Sequence, residues 1–386
     1  MIASTLEWQV RLKDFVKARY PDPGAPAAIA ACLAWLAAAQ DHSTTADGGV
    51  ARHYSLKTGW GSSYPETTGY IAATLLDGRH DPGLRESRAR AIRMLDWFTR
   101  IQFPEGGFQG GMVDQQPRVP VTFNTGQILI GLAAGAGQNT LYKEAMTRAA
   151  DWLAATQDGD GCWRRFPTPF ARPGEKTYET HVALGLFAAH AVDPARGWQA
   201  AGLRQVDWAL RNQQANGWLA KCCLEDEAHP LTHTLGYALR GIVGAYESAG
   251  GKRHLDAAIR TADGLLSCQQ KDGRLAGRYD SQWRPCTSWV CLTGVSQIAE
   301  SWLLLSRLAG RRDYAEAGRR ANAFVRRTIR LYGHHSIRGG VKGSLPIGGG
   351  YGRLQYLNWA AKFTIDANRA ELVLQDTMGA EPGREG

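Results

Sequence analysis

The chain has 386 residues and carries 45 Lys and Arg against 36 Asp and Glu, a formal charge of +9. With 44% hydrophobic and 21% charged residues it is globular rather than disordered, and no apolar run approaches the roughly 18 residues that span a bilayer. Basic charge favours anionic partners, yet no Lys-rich arm, zinc finger or RNA-binding signature points to nucleic acid.

Residues 1–25 open with "MIASTLEWQVRLKDFVKARYPDP", which carries charges where an export signal needs an apolar core. The expectation is a cytoplasmic protein with a leading helix. One phrase then recurs along the chain: an apolar helix ending in Gln, a Gly-rich turn, and an aromatic or aliphatic residue. It reads "AWLAAAQDHSTTADGGV", "DWFTRIQFPEGGF", "DWLAATQDGDGCW", "DWALRNQQANGW" and "GLLSCQQKDGRL". The glutamines Gln40, Gln102, Gln157, Gln213 and Gln269 are 62, 55, 56 and 56 residues apart. A sixth, degenerate copy fits "FVRRTIRLYGHHSIRGG".

After each copy comes a second helical run. In chain order these begin "ETTGYIAATLL", "NTGQILIGLAA", "ETHVALGLFAA", "THTLGYALRGIVGAYE", "CLTGVSQIAESWLLL" and "NWAAKFTIDAN". The first helix of a pair is amphipathic, with charges such as Arg88, Arg90 and Arg93 on one face. The second is apolar nearly all round, as a helix buried on both sides should be. Six outer–inner pairs close into an all-α (α/α)6 toroid, expected as one domain over 1–375 with a flexible tail over 376–386. Regular strand alternation is absent.

Seven cysteines include the adjacent Cys222 and Cys223, followed by His229 and His233. The spacing matches no standard zinc pattern. Reduced, mostly buried thiols and no metal or cofactor are the expectation.

The repeats are similar to the QW-type motifs of squalene and terpene cyclases, protein prenyltransferases and some polysaccharide lyases. The series "YPETTGY", "FNTGQ", "THTLGYALRG", "CLTG", "GGVKGSLP" and "NWAAKF" more closely resembles bacterial polysaccharide-biosynthesis proteins of the VpsJ type, over residues 27 to 372. That resemblance implies a toroid serving exopolysaccharide metabolism, with polysaccharide-assembly proteins as possible partners.

Inner helices of such a toroid run parallel, so their N-termini share one face. Tyr64, Glu66 and Thr67 stand at the first, Asn124, Thr125 and Gln127 at the second, and Tyr178, Glu179 and His181 at the third. His233 and Thr234 stand at the fourth, Trp289 and Thr293 at the fifth, and Asn358, Trp359 and Lys362 at the sixth. Six helix dipoles aimed there favour an anion. Capping explains Thr67, Thr125 and Thr234; it does not explain the tyrosines, glutamates and histidines together. The loops add His53, Tyr54, Trp60, Arg164, Arg165, Lys221, Arg278, Tyr279, Arg284, Arg338 and Lys342. Aromatic faces stack on sugars and Arg forks bind carboxylates. Trp163 and Trp218 occupy the repeat position and are expected to pack their own turns, whereas Trp60 and Trp289 lie off the pattern and are better ligand contacts.

The leading chemistry is C5 proton abstraction from a uronic acid in an acidic oligo- or polysaccharide, a lyase or epimerase reaction. Arg or His would neutralise the carboxylate, while Tyr54, Tyr64 or Tyr178 with His53, His181 or His233 would move protons. A glycoside hydrolase built on Glu66 and Glu179, with Asp114 and Glu225 in reserve, is the first alternative. A non-catalytic carbohydrate-binding or scaffolding subunit is another. A terpenoid or prenyl enzyme fits less well, since neither DxDD nor DDxxD occurs.

Overall fold

The structure, a computed structural model, describes residues 5–16, 19–169 and 171–379. Among them, thirteen α-helices follow a leading-helix-plus-pairs order. Helix α1 (Thr5–Phe15) leads. Outer helices α2 (Ala25–Asp41), α4 (Leu84–Ile101), α6 (Thr140–Thr156), α8 (Trp198–Leu210), α10 (Lys252–Ser267) and α12 (Arg312–Arg326) alternate with the inner set. The inner set comprises α3 (Pro65–Asp77), α5 (Thr122–Gly135), α7 (Thr180–Val192), α9 (Thr232–Ala249), α11 (Leu292–Ala309) and α13 (Asn358–Gly379). Each inner helix packs on the next, and α13 returns to α3, which closes the toroid. The tail expected from 376 begins inside α13, and residues 1–4 and 380–386 lie outside the described residues. No helix among the described residues is long and apolar enough to cross a membrane.

The recurring glutamine has a definite task. From the end of one outer helix, its side-chain amide donates both to its own Gly-rich turn and to the backbone of the next outer helix. Gln102 Nε2 reaches Gly106 O and Ala145 O, each at 2.9 Å. Gln157 Nε2 reaches Gly161 O at 3.0 Å and Ala201 O at 2.9 Å. Gln40 and Gln269 do the same, and Gln213 binds Ala257 O and Thr261 Oγ1, both at 2.8 Å. The amide oxygen then accepts from an arginine one repeat ahead: Arg93, Arg148, Arg204, Arg260 and Arg320 in turn. The turn glycine sits against the same neighbouring helix. At Gly217, φ is +82° and an added Cβ would lie 2.2 Å from Arg260 O. The sixth turn has no glutamine. Its Gly339 abuts Ala31 O, and Trp35 Nε1 donates to Ser336 O at 2.9 Å, so the last turn fastens onto α2 and the ring is complete.

Threonine at the inner N-termini works differently from the expected caps. Thr125 Oγ1 donates to Val121 O at 2.9 Å and accepts from Phe108 N at 2.9 Å. Thr68 likewise donates to Tyr64 O and accepts from Val50 N. Thr234 donates to Cys222 O and Leu231 O, and Thr67 to Tyr64 O at 3.4 Å. In Thr68 and Thr125 the hydroxyl fastens the residue that follows the Gly–Gly turn to the inner helix, rather than satisfying that helix's free N–H groups.

Strands are short. β1 (His53–Ser55) lies between β2 (Gly59–Trp60) and β5 (Gln355–Leu357), while β3 (Val290–Cys291) pairs with β4 (Ser344–Leu345). The pairing His53↔Leu357 joins the first long loop to the last. Helix α1 is tied down by Asp14, whose carboxylate accepts from Lys342 Nζ at 2.6 Å and from Ile347 N at 2.8 Å.

Because the glutamine satisfies one carbonyl in its own turn and one on the next outer helix, Gln157→Ala should cost about 1–3 kcal/mol, and Gly217→Ala, with positive φ and a backbone clash, at least about 2 kcal/mol. Urea unfolding midpoints check both; an unchanged midpoint for both variants would deny the stitch its role.

Candidate functional site

All six inner N-termini face one mouth of the ring, where a cavity of about 310 Å³ is enclosed. From the inner helices it takes Glu66, Phe123, His233, Tyr237 and Trp359, from the residues that lead into α3 and α7 it takes Tyr64 and Tyr178, and from the loops it takes Arg52, Glu225, Arg278 and Tyr351. The first two Gly-rich turns are fastened twice, by their glutamines and by Thr68 and Thr125 of the inner helices.

Glu66 stands in the first turn of α3, 9% exposed. Burial pushes its carboxyl up to about 7, against the opposing pull of the Tyr64 hydroxyl and the Arg52 guanidinium. Tyr64 OH donates to Glu66 Oε2 at 2.8 Å. Across the cavity, His233 is fixed by its partner: Nδ1 donates to Gln297 Oε1 at 2.8 Å. That bond sets the tautomer and leaves Nε2 with its lone pair. Burial lowers His233 to about 4, so the ring is neutral at pH 7. An acid that is half protonated near neutrality and a base that is fully neutral therefore line the same small cavity.

Cation and ring surfaces complete it. The Arg52 guanidinium lies 5.0 Å from the Trp359 ring and 5.8 Å from that of Tyr64, and Nη1 donates to Gln355 Oε1 at 3.2 Å. Arg278 Nη1 donates to His229 O at 2.8 Å. Trp359 Nε1 donates to Tyr351 OH at 2.9 Å, which orients two aromatic faces at the wall.

The cavity thus gathers Tyr64, Glu66, Tyr178, Glu225, His233, Thr234, Arg278 and Trp359 from the residues singled out in the sequence. Others stand elsewhere. Glu179 is buried, with Oε2 unpartnered and its carboxyl pushed up to about 8 by burial, and does not line the mouth. His181 donates from Nδ1 to Gln127 Oε1 at 2.6 Å and faces a second cavity behind the first. Asn124 is buried outside the lining, and Asn358 donates to Ala51 O. His53 sits on β1 beside Arg52, its ring lowered to about 4 by burial. Tyr54 and Trp60 pack on each other at 5.1 Å, Trp60 also on Trp35.

Most loop cations are engaged away from the mouth. Arg164 pairs with Asp158, Asp160 and Glu175, and Lys221 with Glu175. Lys342 pairs with Asp14, Arg165 donates to Ala155 O, and Arg284 and Arg338 are exposed. Tyr279 is fully buried, its OH accepting from Ala276 N. Trp289 packs against Gly277 and Gly350. Trp163 and Trp218 are buried in their turns, 4% and 3% exposed. Arg52, Phe123, Tyr237 and Tyr351 were not singled out. Arg52 alone had a signal, two residues past the first Gly–Gly–apolar turn and beside His53. Among the described residues no group of three His, Cys, Asp or Glu is placed to hold a metal.

No family model matches the chain, and no curated protein does. Solved structures do. An unsaturated glucuronyl hydrolase specific for heparin superposes with a TM-score of 0.71 at 14% identity, covering 91% of this chain and 98% of that one. Cellobiose 2-epimerase from Bacillus thermoamylovorans gives 0.66 at 11% identity over 92% and 97%. A GH76 α-mannanase from Bacteroides thetaiotaomicron gives 0.65 at 12% identity over 90% and 96%. At these identities the likeness shows the fold: the chain is an all-α toroid.

Tyr64 holds Glu66 down by one charge-assisted hydrogen bond. Tyr64→Phe should raise the Glu66 pKa by on the order of half to one unit, read by NMR titration of carbon-labelled glutamate; an unmoved Glu66 would mean that the bond does not form in solution.

Proposed function

We propose that the chain is a glycan-active enzyme whose substrate is an acidic, uronic-acid-containing saccharide and whose reaction is proton transfer at C5, ending in elimination or epimerisation. The observation that carries this reading is the pairing, in one cavity, of a carboxyl raised to about 7 with a neutral imidazole whose Nε2 is free. His233 Nε2 takes the C5 proton. Arg52 and Arg278 meet the sugar carboxylate, which stabilises the charge that develops on it as the C–H bond breaks. Glu66, protonated, delivers a proton either to the leaving oxygen or to the opposite face of C5. Trp359 and Tyr351 offer faces on which a sugar ring stacks. The toroidal glucuronyl hydrolase and cellobiose epimerase are similar in fold and support saccharide chemistry in this scaffold. The resemblance in the repeat motifs supports a role in exopolysaccharide metabolism, in which polysaccharide-assembly proteins would be the partners.

Hydrolysis is the second reading, favoured by one feature: Glu225 lines the same cavity as Glu66. A protonated Glu66 would serve the leaving group while Glu225 activated water. The pair first expected, Glu66 with Glu179, has only its first member at the cavity wall. A purely binding role is disfavoured because Glu66 and His233 share one cavity.

Incubation with hexuronate oligosaccharides separates these readings. Elimination gives an ultraviolet-absorbing unsaturated product, epimerisation exchanges C5 hydrogen with solvent deuterium, and hydrolysis releases reducing ends without either signal. Glu66→Gln and His233→Asn should each lower kcat/KM by roughly 10²–10⁴. Rate should rise as pH climbs through about 4, where His233 loses its proton, and fall through about 7, where Glu66 loses its own. Full activity in both variants would refute the assignment.

A further inference from the structure

Behind the proposed site, at the C-terminal ends of the inner helices, lies a second and larger cavity of about 730 Å³. That is within the range of roughly 300–1,000 Å³ that holds small-molecule ligands. It is walled off from the first by aromatic rings. Tyr237 lies between His233, whose ring centroid is 4.4 Å away, and His181, at 4.5 Å. Phe363 closes on Tyr237 at 5.8 Å, and the hydroxyls of Tyr70 and Tyr237 meet at 3.3 Å. Tyr237 lines the first cavity, whereas Tyr70, His181 and Phe363 line the second.

The wall of this second cavity is charged to an unusual depth. Lys362 Nζ is 2.6 Å from Asp366, and the side chain is 10% exposed. Arg240 reaches Glu247 at 2.9 Å and Glu300 at 3.6 Å. At the rim, Arg79 pairs with Asp77 at 2.7 Å. These four carboxylates are all engaged, and burial raises the Glu300 carboxyl toward its neutral form. One cation has no carboxylate partner among the described residues and a second is only partly satisfied. Arg307, exposed at the rim, makes no ion pair among the described residues. Arg369, 2% exposed, gives Nη1 to Thr74 O, and Asp77 stands 3.6 Å from the same nitrogen, while its Nε and Nη2 have no hydrogen-bond partner. An unsatisfied buried guanidinium is costly. Its position on the wall of a cavity is explained if something anionic occupies that cavity.

Six helix C-termini point here, and their partial negative charge opposes an anion. The excess of arginine and lysine is therefore needed to reverse the local field. The same carbonyl ends and carboxylates are acceptors, suited to hydroxyl groups. We propose that the C-terminal mouth is a second ligand site, for a small polyhydroxylated anion such as a sugar acid or sugar phosphate. The hydroxyls donate to the carboxylates and carbonyl ends; the anionic group lies against Arg240, Arg307, Lys362 and Arg369. This inference is independent of the reaction assigned to the other mouth.

The test uses the full chain carrying Arg52→Gln and Arg278→Gln, which removes the cations of the first cavity. Calorimetric titration with a hexuronate, a hexose phosphate and neutral glucose should show one-to-one binding of at least one anion and at least tenfold weaker binding of glucose. Preference for the hexuronate or for the phosphate identifies the anionic group; both support the site. Adding Arg240→Met or Lys362→Met should weaken that binding at least tenfold in protein that circular dichroism shows to be folded. Should either variant misfold, the exposed Arg307→Gln takes its place, with a threefold or greater loss expected. Absence of binding by both anions, glucose binding as tightly as they do, or anion binding that none of the folded variants weakens, would overturn the proposal. Because the first mouth is already disabled, failure there leaves this result readable.

Discussion

One hydrogen-bonded stitch governs the molecule: the glutamine at the end of each outer helix, donating to its own glycine turn and to the backbone of the next outer helix. It occurs in this form four times; at the fourth turn Gln213 reaches its glycine through Thr261, which donates to Gly217 O, and at the sixth Trp35 and Gly339 replace it. Each stitch settles the pitch between neighbouring pairs, and six equal steps return the chain to its start. The conserved geometry of the turn follows from the same contact, since Gly217 and its counterparts lie too close to the adjoining helix for any side chain. Without that closure the inner helices would have no common axis, and neither cavity would exist.

The ring also imposes a polarity. Parallel inner helices give one mouth six positive dipole ends and the other six negative ends. At the first mouth, burial outweighs this field and the Arg52 charge, leaving Glu66 near 7. At the second, arginine and lysine are concentrated where the helix ends would otherwise repel an anion. The aromatic layer of Tyr237, Phe123 and Phe363 keeps the two environments apart. His181 and His233 illustrate the division: each is fastened through Nδ1 to a glutamine and each packs on Tyr237, yet they line opposite cavities.

The fold was legible because its signal is repeated. A glutamine followed by a glycine turn every 56 residues or so is visible without any knowledge of contacts, and apolar inner helices follow from burial on both sides. The candidate site was legible only where helix phase decides it. Glu66, His233 and Trp359 stand in first turns and Tyr64 immediately before one, so a parallel ring brings them together. Glu179 and His181 stand in an equivalent segment, but a 3-10 turn over Thr177–Glu179 precedes α7, and neither side chain enters the mouth. The loop residues were the least legible. A sequence lists Arg164, Lys221 and Lys342 as free cations, whereas each has a carboxylate partner fixed by the path of a loop. Arg52 escapes that fate because Trp359 and Tyr64 hold it over their rings. Such pairings depend on which loops meet, and composition carries no record of that.

The most direct measurement is a crystal structure of the Glu66→Gln protein with an acidic oligosaccharide. The account predicts sugar density in the mouth lined by Trp359 and Tyr351, its carboxylate against Arg52 or Arg278 and its C5 within reach of His233 Nε2. Saccharide bound on the outer surface of the ring, or in the mouth with its carboxylate turned away from both arginines, would contradict it.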